Sequence, residues 1–176
     1  MDLKQKGSEA QVGSFRQLLI TMKWTTAADF DLCCVYEKTD GTNGLVYFGD
    51  LGNLNDFPYM QLSGDDGVGD AGGENEETMR ITKLDDMKNV WILCWDYGQV
   101  QSGSPARFKD SDVSLSVMDD SGTTHTVTLD TGDMGNVALI ATIEVGAIGP
   151  KLVNSSKAGT LKGLQNLNQL VGIING

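Results

Sequence analysis

The chain has 176 residues with 24 acidic and 13 basic side chains, which gives a net charge of −11. This length predicts a single domain, and a hydrophobic content of 40% is typical of a globular protein rather than a disordered one. The negative charge argues against a nucleic-acid partner, because proteins neutralise phosphates with Lys and Arg.

Residues 1–13 are predicted to be a polar leader. They lack the apolar segment of a secretory signal peptide, and no apolar run in the chain approaches the roughly 20 residues of a transmembrane helix. The three cysteines, Cys33, Cys34 and Cys94, lie in apolar runs without a metal-binding or redox spacing. We expect buried, reduced thiols, which favour a cytoplasmic protein and leave peripheral contact with a membrane open.

Apolar and alternating runs separated by glycine-rich turns predict about eight β-strands between residues 14 and 145. The run from Asn89 to Asp96 is apolar on both faces, which predicts a strand covered on both sides, with Trp91 and Trp95 in the core. We therefore predict a mainly β protein, a two-sheet antiparallel β-sandwich. The predicted strands are residues 15–24, 29–36, 45–48, 78–84, 89–96, 113–118, 124–129 and 136–145.

A glycine-rich acidic segment, SGDDGVGDAGGENEE, spans residues 63–77. Carboxylates this close repel one another, whereas a hard divalent cation takes about six to eight oxygen ligands and would hold them together. Ca²⁺ suits such a long loop better than Mg²⁺, which demands octahedral geometry. The alternative is a solvated acidic loop that binds nothing. The segment is not an EF-hand, because Asp70 stands where that loop needs Gly.

A second acidic feature is the motif ADFDL at residues 28–32. Asp29 and Asp31 are two residues apart at the start of a predicted strand, so their side chains leave the same side of it. Both can reach toward one ion. The alternative interpretation is a turn followed by a strand with exposed aspartates.

The order of these motifs resembles the TerD family of tellurite-resistance and stress-response proteins. Trp24 and ADFDL precede SGDDGVGD and ENEE, which lead into the predicted strand TMRITKL. The resemblance implies a β-sandwich, here residues 14–145, with Ca²⁺ sites at one end formed by the two acidic motifs. The calcium ligands that it implies are Asp29, Asp31, Asp65, Asp66, Gly69, Asp70, Glu76 and Glu77.

Two departures from the family pattern bear on the metal. Cys33 stands where many members have a third acid after DFDL, and a soft thiol is a poor ligand for Ca²⁺. The second loop has one extra residue, near Ala71, and Gly73 falls where an acid is expected. We therefore expect one good calcium site and a weakened or lost second one.

The resemblance favours a calcium-binding stress-response module that acts through assembly or through contact with partners or a membrane. The alternative is a structural or scaffold module of the same fold with weakened metal binding. We expect no enzyme activity. A hydrolase with paired carboxylates would need a fixed separation between them, which a glycine-rich loop does not provide. The single histidine, His125, is expected on the surface rather than in a catalytic triad.

Residues 146–176 differ in composition, with three lysines and no acid. Large apolar residues spaced by three and four predict one apolar stripe on a helix. We expect this tail to be ordered only when docked on its own body, on a second copy or on another protein, with another chain favoured. The stripe consists of Leu161, Leu164, Leu167, Leu170, Val171, Ile173 and Ile174.

Overall fold

A computed structural model describes residues 2–13, 15–24, 30–63, 75–103, 106–107, 113–131, 134–164 and 166–175. Two β-sheets pack face to face, which confirms the predicted mainly β sandwich. Sheet A has the strand order β1 (Asp2–Leu3), β12 (Thr124–Thr128), β11 (Ser114–Met118), β3 (Leu18–Trp24), β8 (Asn75–Ile81), β7 (Met60–Leu62) and β6 (Gly52–Asn53). Sheet B has the order β2 (Glu9–Gln11), β15 (Gly149–Gly159), β14 (Val137–Gly146), β9 (Met87–Asp96), β4 (Phe30–Lys38) and β5 (Asn43–Val46).

Four small elements complete the described chain. Strands β10 (Ala106–Arg107) and β13 (Met134–Gly135) form an antiparallel pair. Helix α1 (Tyr97–Ser102) follows β9 directly, and helix α2 (Asn168–Asn175) lies near the C-terminus. The pair of β1 with β12 is parallel, whereas the other described strand pairs of both sheets are antiparallel.

Successive residues of a strand point to opposite faces of its sheet, and the apolar ones form two hydrophobic cores. The larger core lies between the sheets and includes Val90 and Ile92 of β9. The second core lies on the other face of sheet B, where Leu93 and Trp95 of the same strand pack against Val100 of α1 and Leu170 of α2. The prediction that residues 89–96 form a strand covered on both sides is therefore confirmed, and so is the burial of both tryptophans.

The structure differs from the sequence prediction at both ends of the chain. The expected leader contributes β1 to sheet A and β2 to sheet B, with Leu3 and Val12 buried. The expected tail supplies β15, an 11-residue strand that pairs with β14 over most of its length. These segments were missed because short edge strands and polar strands lack the strong alternating apolar pattern by which strands are recognised.

The helical part of the tail is shorter than its apolar stripe suggested, and it covers the protein's own sheet. Leu161, Leu170 and Ile174 are buried in the second core. Another chain was the favoured docking surface, but in this structure the stripe lies on the outer face of sheet B. The physical reason is that β9 is apolar on both faces, so sheet B needs a cover on its second face as well.

His125 is also placed differently from expectation. It shares the inward face of β12 with Val127, because the two residues are two apart along the strand. Its side chain is only 9% exposed, and it pairs in register with the core residue Val117. Burial lowers the pKa of its imidazole, against the opposing charge of Asp119.

Candidate functional site at one end of the sandwich

The two acidic segments are attached to the same end of the sandwich. The segment 25–29 leaves β3 after Trp24, and the segment 64–74 enters β8 at Asn75; these two residues are register partners. The ring of Trp24 also packs edge-on against Phe30, the first residue of β4, with centroids 5.8 Å apart. Strand pairing has therefore brought together the points at which two segments distant in sequence join the sheets.

Three of the eight predicted ligands lie in the described chain, namely Asp31, Glu76 and Glu77. The other five lie outside the described residues; they are Asp29, Asp65, Asp66, Gly69 and Asp70. Asp31 and Glu77 are buried, with 6% and 3% of their surface exposed. A carboxylate is this well buried only where polar partners or a metal offset the loss of water.

Glu77 reaches from sheet A across to sheet B. Its Oε2 accepts a hydrogen bond of 2.6 Å from the backbone N–H of Leu32 in β4. Strand β5 ends at the register pair of Val46 with Cys34, so it supplies no register partner to Leu32. The carboxylate thus satisfies a backbone donor at an edge of β4 where the ladder with β5 has ended.

Glu76 is separated from this pair. Successive residues of a strand project to opposite faces, so Glu76 points to the outer face of sheet A while Glu77 points inward. The side chain of Glu76 is 54% exposed, and its Oε2 lies 3.8 Å from Nζ of Lys23 on the neighbouring strand. Glu77 therefore faces the space between the sheets and Glu76 lies on the surface, whereas Asp31 lies at the same end of the sandwich on the face of β4 that it shares with Cys33.

The acidic side chains at this end of the sandwich raise the pKa values of the buried thiols. Burial raises the pKa of Cys94, and the charges of Glu77, Asp31 and Asp96 raise it further. Burial also raises the pKa of Cys33, with contributions from the two other thiols and from Asp31 and Glu77. The three cysteines are free and buried, as expected, and their raised pKa values make them poor nucleophiles.

Asp96 is a third carboxylate at this end, and it is not among the ligands predicted from the sequence. It is the last residue of β9 and pairs in register with Phe30, next to Asp31. In the sequence, this acid follows directly after a run of apolar residues. The same pattern is expected wherever a buried strand ends at the surface, so it did not indicate a ligand.

The residues present fit part of a calcium shell. Hard carboxylate oxygens are the ligands that Ca²⁺ prefers, and it takes about six to eight of them. Within the described ranges, no group of three or more His, Cys, Asp or Glu side chains is arranged to hold a metal. A complete site therefore needs oxygens from segments 25–29 and 64–74 in addition to those of the described residues.

The chain is similar in fold to known structures. No protein-family model matches the chain, and no curated protein matches its sequence. Among solved structures, the protein of unknown function SAV2460 is similar over 86% of this chain and 99% of its own, with a TM-score of 0.57 and 14% identity. A homologue of the telluride resistance protein TerD, SCO6318 from Streptomyces coelicolor A3(2), is similar over 91% of this chain and 96% of its own, with a TM-score of 0.54 and 14% identity. The chain therefore has a TerD-like fold.

Proposed function

We propose that this protein is a calcium-binding module without enzyme activity, whose ion joins the two acidic segments at one end of the sandwich. One observation carries the proposal: the attachment points of both segments meet beside the buried carboxylates of Asp31 and Glu77. The proposed ligands are Asp31 together with Asp29, Asp65, Asp66, Gly69 and Asp70. Glu76, which faces solvent beside Lys23, is left out of the set.

The ion would act mainly as a structural bridge. The carboxylates of the two segments repel one another without a cation, and a bound Ca²⁺ converts this repulsion into attraction. The proposed role in the cell is that of a stress-response module, which works through assembly or through contact with a partner protein or a membrane surface. No helix in the described ranges is long and apolar enough to cross a membrane.

The structural or scaffold alternative has its own supporting observation. Glu77 already has a protein partner in the Leu32 N–H, and Cys33 is buried in the second core, where it offers no oxygen to an ion. A module of this fold whose second site has been lost would retain both features. Net charge and buried thiols favour a cytoplasmic protein with no nucleic-acid partner under either proposal.

Calorimetric titration with CaCl₂ tests the proposal directly. We expect saturable binding by the wild-type chain, and Asp31→Asn and Asp65→Asn should each weaken it at least tenfold, which is about 1.4 kcal/mol. Asp119→Asn is the matched control, because Asp119 accepts hydrogen bonds within its own turn, from Ser121 and Thr123. Equal losses for all three variants would mean diffuse counterion binding instead of a site.

A further inference from the structure

We infer that Glu77 is a positioning residue, which fixes Asp31 through the backbone of β4 instead of acting chiefly as a calcium ligand. This inference rests on the proposed calcium function only for the effect of Glu77 on calcium binding. The tie between the two sheets stands on the described structure alone.

The first step concerns the free edge of β4. In a strand, the N–H groups of residues two apart point to the same side, so the amides of Leu32 and Cys34 both face the side on which β5 lies. Cys34 has a register partner there, Val46, whereas Leu32 lies beyond the end of β5. The carboxylate of Glu77 accepts from the Leu32 N–H the hydrogen bond that a longer β5 would have accepted.

The second step concerns what the bond fixes. The N–H of Leu32 belongs to the peptide group that also contains the carbonyl carbon of Asp31, and this group is planar. Holding the N–H therefore holds the orientation of the peptide plane on which the Asp31 side chain depends. On the other side, Asp31 is in register with Trp95 of β9, so the peptide is held between β9 and Glu77.

The third step is the strength of the tie. A hydrogen bond to an ionised carboxylate is shorter and roughly twice as strong as a neutral one, and the distance of 2.6 Å from Leu32 N to Glu77 Oε2 belongs to this class. Both residues are buried, so water does not compete for the donor. Of the two neighbouring glutamates in β8, the buried one has this role, while Glu76 lies on the surface.

The first experiment is amide hydrogen exchange in EDTA. In Glu77→Ala, the Leu32 amide should exchange about tenfold faster than in the wild type, since it loses a charge-assisted bond. The Cys34 amide should change less, and Glu76→Ala should leave both amides unchanged. Glu77→Gln keeps an acceptor and should show an intermediate rate, which keeps the test decisive if the alanine variant does not fold. An unchanged Leu32 rate, or an equal rise at Leu32 and Cys34, would overturn the tie.

The second experiment compares the calcium affinity of the same variants. If Glu77 acts by positioning, the retained acceptor of Glu77→Gln should keep the affinity within about threefold of the wild type, while Glu77→Ala loses about tenfold or more. If Gln and Ala lose equally, Glu77 acts as a charged ligand and the positioning role is wrong. If the wild type binds no calcium, the proposed function fails, while the exchange result still decides whether Glu77 ties the two sheets.

Discussion

Cys33 shows how one residue changes what the site can be. It stands where the resemblance would place a third acid, yet its side chain is fully buried in the second core, on the helix-covered face of sheet B. That environment suits a small apolar thiol and not a carboxylate. The departure from the family pattern is therefore an adaptation to packing as well as the loss of an oxygen.

The substitution Cys33→Asp tests this interpretation. If the position were a vacant ligand site, the new carboxylate would strengthen calcium binding. We expect instead that it lowers the free energy of unfolding by about 3 kcal/mol or more, because it buries a charge near Asp31 and Glu77. Urea unfolding with and without CaCl₂ measures both effects, and Cys33→Ala is the control for lost thiol packing. A gain in calcium affinity without loss of stability would contradict the packing role.

His125 gives the folded state a pH dependence. Its pKa is lowered by burial from the ordinary value of 6.5, so the unfolded chain takes up a proton at a higher pH than the native one. Stability is therefore unaffected well above pH 6.5, and it falls as the pH drops through this value.

We expect the wild type to lose stability between pH 7.5 and 5.5 and His125→Gln, which cannot titrate, to lose less. Urea unfolding at both pH values measures the difference. His125 is the single histidine of the chain, so one substitution removes all imidazole titration. An identical pH dependence of the two proteins would show that His125 does not titrate differently on folding.

At the scale of elements, the C-terminal part of the chain is a cover for sheet B. Asn136, fully buried, holds it at one point: its Nδ2 donates to the carbonyl of Leu161 and its Oδ1 accepts from the Leu161 N–H, both at 2.8 Å. The N–H of Gly163 donates to Val100 of α1, and Nζ of Lys157 donates to the carbonyl of Ile174 at the end of α2. Both helices thus belong to one layer over the second core.

The substitution Leu170→Ala measures what this layer contributes. Leu170 is a fully buried residue of α2, so its truncation should cost about 2–5 kcal/mol of unfolding free energy. Ile148→Ala is the matched control, since that side chain is 85% exposed and its loss should cost less than about 0.5 kcal/mol. Equal effects of the two would mean that α2 is not packed on sheet B in solution.

At the scale of the whole molecule, the chain carries a net charge of −11, and several of its acids lie at one end of the sandwich. Part of the acidity is neutralised within the protein: Nζ of Lys151 lies 3.3 Å from Glu9 and 3.4 Å from Glu144, joining three strands of sheet B. At the end that carries Asp31, Glu77 and Asp96, the first two are buried, so the proposed ion would have its largest effect on stability there.

Calcium should therefore raise the melting temperature. A ligand that binds only the native state adds about 2.7 kcal/mol at a hundredfold excess over Kd, which corresponds to roughly 5–10 °C for a chain of this length. Melting in CaCl₂ and in EDTA measures the shift. MgCl₂ at equal ionic strength is the control for charge screening, and a shift of the same size in both salts would argue against a calcium site.

The sequence by itself determined the sandwich, because alternating apolar runs between turns specify strands wherever one face is buried. It also determined that the strand at residues 89–96 is covered on both of its faces, since neither face is polar. The motifs ADFDL and SGDDGVGD indicated where acids cluster, and the resemblance joined them into one expected site.

Only the tertiary structure decided which of those acids enter the interior. Glu76 and Glu77 are adjacent and chemically identical, and it is the pairing of β8 with β3 that sends one to Lys23 and the other to the Leu32 N–H. The same holds for the ends of the chain, because the short strands β1 and β2 and the polar strand β15 are strands through their hydrogen-bonded neighbours. The apolar pattern of a segment indicates which of its own residues are buried. Which strand pairs with it, or packs against it from the other sheet, depends on contacts between residues distant in sequence. No single stretch of the chain contains that information.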